Sequence, residues 1–227
     1  MNIKEIYEYA HKIGALTFST IYKDEVHSRI AHFNGYDDEG IYFRTMANKP
    51  YGKQLKSTKK VTVCGNFGGE ILNKDDIGAI PDFATGYSFR LIGDIRKVTA
   101  EEIIEKAKTN KFLELAKKDI ENYPQMADGN YIIYKAKGEI FNYDFSKKLS
   151  PYKLNRQRFA FGGASVNPCG VKITDDCISC GRCEEVCSFS AIEYAGSKYE
   201  VNPAHCDDCG SCMLECPVGA IIESQPI

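Results

Sequence analysis

The 227-residue chain has no long apolar run. Its hydrophobic stretches stop well short of the ~18 residues a membrane helix needs, so no helical span is expected. Neither sign of charge is in large excess, with 29 Lys and Arg against 31 Asp and Glu, which removes any global case for nucleic-acid binding. The opening MNIKEIYEYAHKIG carries charges along its whole length, so no secretory leader is expected and a cytoplasmic setting is. Only four histidines occur (His11, His27, His32 and His205), at no ligand-like spacing, and they read as ordinary residues. What is present is ordinary globular composition, 43% hydrophobic and 26% charged, with one anomaly of ten cysteines.

The cysteines are unevenly placed. Cys64 stands alone in an expected strand and reads as a buried thiol, while the other nine lie between Cys169 and Cys216. Charge is uneven too: from Gly170 onward there are three basic and ten acidic residues, and before it 26 basic and 21 acidic. A mildly basic body therefore carries a short acidic, cysteine-rich segment. In a reducing compartment such clustered cysteines bind metal or do redox work more often than they form disulfides.

The cysteine-rich segment repeats itself. Cys177, Cys180, Cys183 and Cys187 recur 29 positions later as Cys206, Cys209, Cys212 and Cys216, accompanied by Gly181/Gly210, Ala191/Ala220 and Ile192/Ile221. Each half reads C-x2-C-x2-C-x3-C, the spacing of bacterial ferredoxins with two [4Fe–4S] clusters. Three thiolates in a tight turn each take an iron corner of a cube, and the fourth, at a helix start, points away to the other cluster. Glycine after the second cysteine lets the backbone approach the sulfurs. Paired zinc knuckles leave the third cysteine of each run unexplained. Cys169 has no counterpart in the repeat and reads as a free thiol.

Lys172 to Glu223 resembles the two-cluster ferredoxin family. That resemblance implies one cluster on Cys177, Cys180, Cys183 and Cys216 and a second on Cys206, Cys209, Cys212 and Cys187. One departure is visible: Pro217 follows Cys216, but Ser188 follows Cys187. So short a segment, with few large apolar residues, is expected to draw much of its folding free energy from ligation.

In the body, Asn2 with Glu5 predicts a capping box, and Ile3, Ile6, Ala10 and Ile13 share a helical face. Strands are expected at 15–21, 26–33, 41–45, 60–67, 88–98 and 131–142. Helices are expected from Pro50 to Ser57 and from Thr99 to about Asp119, and the Lys/Glu run from Glu101 to Glu121 reads as a solvated face. The expected class is α+β: a small six-stranded antiparallel β-barrel with flanking helices over 1–145, a strap over 146–169 and a small two-cluster ferredoxin-like domain over 170–227.

The stretch from Arg29-Ile30-Ala31 through Gly35-Tyr36-Asp37-Asp38-Glu39-Gly40-Ile41-Tyr42-Phe43-Arg44-Thr45, Asn48-Lys49-Pro50 and Lys53-Gln54-Leu55 to Val61-Thr62-Val63 looks like the pyridoxamine 5′-phosphate oxidase-like family. These are FMN-binding split barrels, usually homodimers with flavin at the subunit interface. By this resemblance Arg29 with the backbone of Ile30 and Ala31 meets the flavin. Arg44 and Thr45 stand near ring and phosphate, and Asn48, Lys49 and Lys53 serve the phosphate, a group that wants cationic donors. Asn48-Lys49-Pro50 replaces the oxidase's Ser-Arg-Lys run, and no residue pair is assignable to a pyridoxal substrate, which points away from the oxidase reaction itself.

Clusters move single electrons while flavin handles one or two, so the combination implies an oxidoreductase joining two [4Fe–4S] clusters to FMN and reducing a small oxidised substrate. The alternatives are an electron carrier between redox proteins and, more remotely, a haem- or deazaflavin-binding barrel. No catalytic residue is assignable. The loop Gly68–Gly86 is an expected lid, and 156–163, rich in Arg and Phe, an expected strap over the flavin.

Overall fold

A computed structural model describes residues 2–67, 86–144, 155–164 and 170–224, without the side chains of 126, 142–144 and 155–157. Two units separate. The first holds residues up to 67 together with 88–139 and 161–163, and the second holds chiefly 140–144, 155–160 and 170–224. Among the described residues no helix is long and apolar enough to cross a membrane.

The first unit opens with α1 (Ile3–Ile13), which has the expected capping box: Asn2 Oδ1 accepts from the Glu5 N–H, and the Asn2 N–H donates back to Glu5. β1 (Leu16–Tyr22) and β2 (Glu25–Ala31) form a hairpin through Lys23 and Asp24, both at positive φ, as a two-residue loop with the sheet's twist requires. β3 (Phe33–Tyr36) and β4 (Ile41–Arg44) pair around a turn in which Asp37 Oδ1 accepts from the N–H groups of Glu39 and Gly40. α2 (Pro50–Ser57) starts on proline at its first position, where a missing N–H costs nothing. β5 (Lys60–Phe67), β6 (Tyr87–Val98), α3 (Ala100–Ala107), α4 (Glu114–Asn122), β7 (Asn130–Asp144) and β8 (Asn155–Phe161) follow, with 140–144 of β7 and 155–160 of β8 belonging to the second unit. The sheet runs β2-β1-β5-β6-β7-β4-β3, with β8 paired to β7 off that path. It is a curled antiparallel half-barrel lined by Leu16, Phe18, Phe43, Phe89, Leu91 and Ile133.

The α+β class is as expected, but this sheet has eight strands instead of six. β3 escapes a pattern search because all four of its residues are buried, leaving no alternation to read. β8 lies within the stretch expected as a strap, where Phe161 is buried and stacks on Phe89 at 6.2 Å. The expected lid lies outside the described residues save Gly86, and Cys169 lies outside them too.

Three further expectations are corrected. The helix expected from Thr99 to Asp119 breaks at 108–110, because Asn110 bonds the Phe112 N–H and donates to the Tyr36 carbonyl, turning the chain so that Leu113 is fully buried. The Lys/Glu run is no simple solvated face: Lys106 bonds Asp37, Glu39 and the Tyr42 hydroxyl, while Arg96 bonds Glu39 and Glu102. This network fastens the β3–β4 turn to α3. Cys64 is exposed, because Val61 and Val63 take the inward positions of β5 and leave Thr62 and Cys64 on the other face.

In the second unit, β9 (Val171–Ile173), α5 (Arg182–Glu185), β10 (Ile192–Tyr194), β11 (Tyr199–Val201), α6 (Ser211–Glu215) and β12 (Ile221–Glu223) carry the repeat into three dimensions. α5 maps onto α6 and β10 onto β12 at the same offset. The strands then exchange halves: β9 pairs with β12, and β10 with β11. The buried cluster holds Val171, Ile173, Ala191, Ile192 and Ile221, completed by Cys183, Cys206 and Cys212.

Candidate functional site

The repeat positions the cysteines through its backbone. Gly181 and Gly210 sit at φ of +81° and +75° just ahead of α5 and α6, a conformation glycine adopts without strain. Ser179 and Asp208 are also left-handed, which turns their N–H groups onto Cys177 Sγ and Cys206 Sγ, each at 3.4 Å. Ala191 and Ala220 donate likewise to Cys187 Sγ and Cys216 Sγ, each at 3.2 Å. These four donors form two pairs 29 residues apart, so in this respect the two halves prepare sulfur in the same way.

One cavity is lined by Cys177, Cys180, Cys183 and Cys216, with Ile173, Ile178 and Val218 among its walls. A second is lined by Cys206, Cys209, Cys212 and Cys187, with Val171, Phe189 and Ile192. The fourth cysteine of each run thus faces the other run's cavity. Among the described residues, no group of three or more His, Cys, Asp or Glu side chains is gathered closely enough to hold a single metal ion. Four thiols spaced around an apolar hollow, two of them accepting backbone N–H donors at sulfur, fit a polynuclear cluster.

The thiols differ in ease of ionisation. The Tyr199 and Ser179 N–H groups lower the Cys177 value, burial raises that of Cys183, and burial with the nearby Cys187 and Cys209 pushes Cys212 up to about 11. Coordination to a metal deprotonates a thiol outright, so ligation works against a steeper cost at the buried positions.

The first unit has its own cavity, of about 570 Å³. Arg29, Ile30 and Ala31 reach it from β2, Arg44 and Thr45 from the end of β4, and Lys49 from the N-cap of α2. Six of the eight residues expected to bind flavin therefore line one cavity. Asn48 and Lys53 do not: both are exposed, and Lys53 lies on the α2 face away from the buried Gln54 and Leu55.

Side chains that sequence patterns did not single out complete the lining. Arg29 Nη2 donates to Gln54 Oε1 at 2.7 Å, and its guanidinium lies 4.5 Å from the Tyr51 ring centre. Arg44 Nε pairs with Asp119 of α4 at 3.0 Å, so a carboxylate from the expected solvated run reaches the cavity. His32 also lines it, held through Nδ1 against the Gly14 carbonyl. Gly129 is required where Thr45 turns: a Cβ there would meet the Thr45 carbonyl oxygen at 1.6 Å. No local signal marks Asn34, Tyr51 or Asp119, since their neighbours come from distant segments.

The lining is polar in an incomplete way. Arg29 Nε, both amide atoms of Asn34 and the Tyr51 hydroxyl are buried without hydrogen-bond partners among the described residues. Buried polar groups left so are costly, and a ligand rich in donors and acceptors satisfies them. With two arginines, a lysine and the first turn of a helix, whose free N–H groups favour anions, the residues fit a phosphorylated ring system such as FMN.

Comparison with known proteins bears on each unit. The 4Fe-4S dicluster domain family matches residues 176–220. Ferredoxin-2 of Chlorobaculum tepidum is 38% identical over 58 residues, covering 23% of this chain and 94% of that protein. Ferredoxin-1 of Caulobacter vibrioides is 46% identical over 52 residues, covering 22% of this chain and 45% of that protein. The chain spans 64%, 60% and 65% of the ferredoxins it matches in Azotobacter vinelandii, Sorangium cellulosum and Hydrogenibacillus schlegelii. The likeness supports electron transfer through iron–sulfur clusters.

Among solved structures, a NimC/NimA family protein from Clostridium acetobutylicum is 19% identical, covering 70% of this chain and 93% of its own, with a TM-score of 0.44. A protein described as FAD-binding, from Mesorhizobium loti, is 12% identical, covering 59% and 88%, with a TM-score of 0.39. At these scores the choice of ligand rests on the cavity.

Proposed function

The chain belongs, through residues 176–220, to the 4Fe-4S dicluster ferredoxin family, and from that premise we propose that it is an iron–sulfur flavoprotein. It passes electrons between two [4Fe–4S] clusters and FMN and reduces a small oxidised substrate. The observation that carries this reading is the convergence of Arg29, Arg44, Lys49 and the first turn of α2 on one cavity, in a chain that also carries a dicluster domain.

Cys177, Cys180, Cys183 and Cys216 hold one cluster; Cys206, Cys209, Cys212 and Cys187 hold the other. The N–H groups of Ser179, Asp208, Ala191 and Ala220 offset negative charge on the sulfurs. Clusters exchange single electrons and FMN one or two, so together they join single-electron carriers to two-electron chemistry. Arg29, with the backbone of Ile30 and Ala31, orients the flavin. Lys49 takes the phosphate with Thr45, and Asp119 fixes the Arg44 guanidinium against it. The working form is a cytoplasmic homodimer with flavin at the subunit interface.

Anaerobic purification tests the reading: about eight irons, matching sulfide and one FMN per chain are expected, with flavin bands over a broad cluster absorption. Colourless protein, or zinc on the cysteines, overturns the cluster assignment. Clusters without flavin overturn the cavity assignment, and a Soret band replaces flavin with haem. Turnover of a panel of small oxidants with a chemical reductant is expected, and it should vanish when FMN is removed. The second reading, a carrier between redox proteins, is favoured by the ten acidic residues from Gly170 onward and by the exposed Cys180 and Cys209. Absence of turnover with every oxidant would select it.

A further inference from the structure

The 29-residue repeat changes character at the loop between its first two cysteines. Cys177-Ile178-Ser179-Cys180 in one half becomes Cys206-Asp207-Asp208-Cys209 in the other. Backbone geometry is kept: Ser179 and Asp208 have φ of +56° and +59°, and both N–H groups donate to sulfur at 3.4 Å. The side chains diverge. Ser179 Oγ donates to the Ser197 carbonyl at 2.9 Å. Asp208 instead accepts from the Gly170 N–H at 2.8 Å through Oδ1 and from Arg158 Nη2 at 3.4 Å through Oδ2.

Arg158 has an uncommon setting. Its side chain is only 3% exposed, and its guanidinium lies 5.6 Å from the ring centre of Phe141. Burying a guanidinium is expensive unless a counter-charge meets it, so a buried arginine facing a loop aspartate is a specific arrangement. A continuous path then runs from the Arg158 guanidinium through the Asp208 carboxylate and backbone N–H to Cys206 Sγ. Position 179, the repeat equivalent of Asp208, has a serine and no carboxylate for such a pair.

We propose that Arg158 is a positioning residue for one of the two cluster sites, that of Cys206, Cys209, Cys212 and Cys187. Together with the Gly170 N–H it fixes the Asp208 side chain, and it offsets the charge of the Asp208 carboxylate beside that cluster. Net charge and hydrogen bonds to sulfur set a cluster's potential, so this pairing decides how much of the Asp208 charge the Cys206 site feels, where the Ser179 half has no such charge to offset. The inference rests on the ligand assignment proposed above.

The test is a redox titration of the full-length holoprotein, followed by electron paramagnetic resonance and by the shifted cysteine β-proton signals that tell the two clusters apart. In wild type two iron–sulfur centres should titrate. In Arg158→Met the Cys206 centre should move to more negative potential while the Cys177 centre stays, because an uncompensated carboxylate disfavours the added electron. Asp208→Ser should move the same centre to more positive potential. The double variant should shift it less negatively than Arg158→Met alone, and Arg158→Lys should recover much of the wild-type value.

Should Arg158→Met lose iron, Arg158→Lys and Asp208→Ser decide. Both centres shifting together, or neither shifting with iron content kept, overturns the role of Arg158 alone. Fewer than two titrating centres in wild type overturns the ligand assignment, and this inference with it.

Discussion

The two units reach order by opposite routes. The half-barrel closes over large apolar side chains such as Phe18, Phe43, Phe89 and Leu91, each almost wholly buried. The cysteine unit has strands of three residues, helices of four and five, and a core whose larger members are Val171, Ile173, Ile192 and Ile221. Cys183, Cys206 and Cys212 belong to that core. In one unit burial precedes the site, and in the other the site is the core. Ligand binding should therefore matter to stability very differently in the two.

The sharpest way to break this comparison is to remove iron. Small metal-bound domains draw on the order of 10 kcal/mol from ligation, so chelation should abolish hydrogen-exchange protection over 170–224 and leave that of β1, β5 and β6 in place. Retained protection in the cysteine unit would mean that its apolar residues suffice. Next in size is Gly129→Ala. A methyl group set against the Thr45 carbonyl should cost about 2 kcal/mol and loosen FMN, while iron per chain stays unchanged. Denaturant unfolding with cofactor assay measures both.

Lys49→Gln and Arg29→Gln should each weaken FMN binding about tenfold or more, since a charge-assisted hydrogen bond contributes about 1.5–3 kcal/mol. Equilibrium titration of the flavin-free protein reads this. Iron loss in either variant would show the units to be less separate than described.

The smallest effect concerns acid. Hydrogen bonds from Lys106 and Arg96 hold the Glu39 carboxyl below its ordinary 4.5, and Arg96 does the same for Glu102. A depressed carboxylate stabilises the fold above its unfolded value, and that contribution is lost as pH falls through the folded value. Thermal melting of the half-barrel should thus be level above about pH 5 and decline below 4.5. Partly exposed pairs make the loss on the order of 1 kcal/mol or less, shrinking with salt. The Arg96→Gln protein should show a flatter acid limb.

Legibility in the sequence followed the range of each interaction. α2 was readable to the residue because Pro50 fixes its own φ, and α1 because Asn2 and Glu5 cap within one turn. The β1–β2 hairpin was readable from its polar turn. The break after α3 was not, since it depends on Asn110 reaching the Tyr36 carbonyl, 74 positions away. Cys64 was misplaced because a strand's inward face is known only once its partners are. In the candidate flavin site, the Arg29, Arg44 and Lys49 positions carried a family pattern. Asn34, Tyr51 and Asp119 carried none, since each is an unremarkable residue until the sheet brings it to the cavity.

The order of the cysteines was enough to determine a duplicated unit, its turns and the kind of metal chemistry it suits, because sulfur spacing along a few residues is a local constraint on the backbone. Only the tertiary structure decided that Asp119 meets Arg44, that β4 lies against β7, and that a buried Arg158 finds Asp208 in one half of the repeat and not the other. Those meetings join segments tens of residues apart. They are fixed by how strands order and pack across the whole chain, where no short stretch of sequence holds both partners.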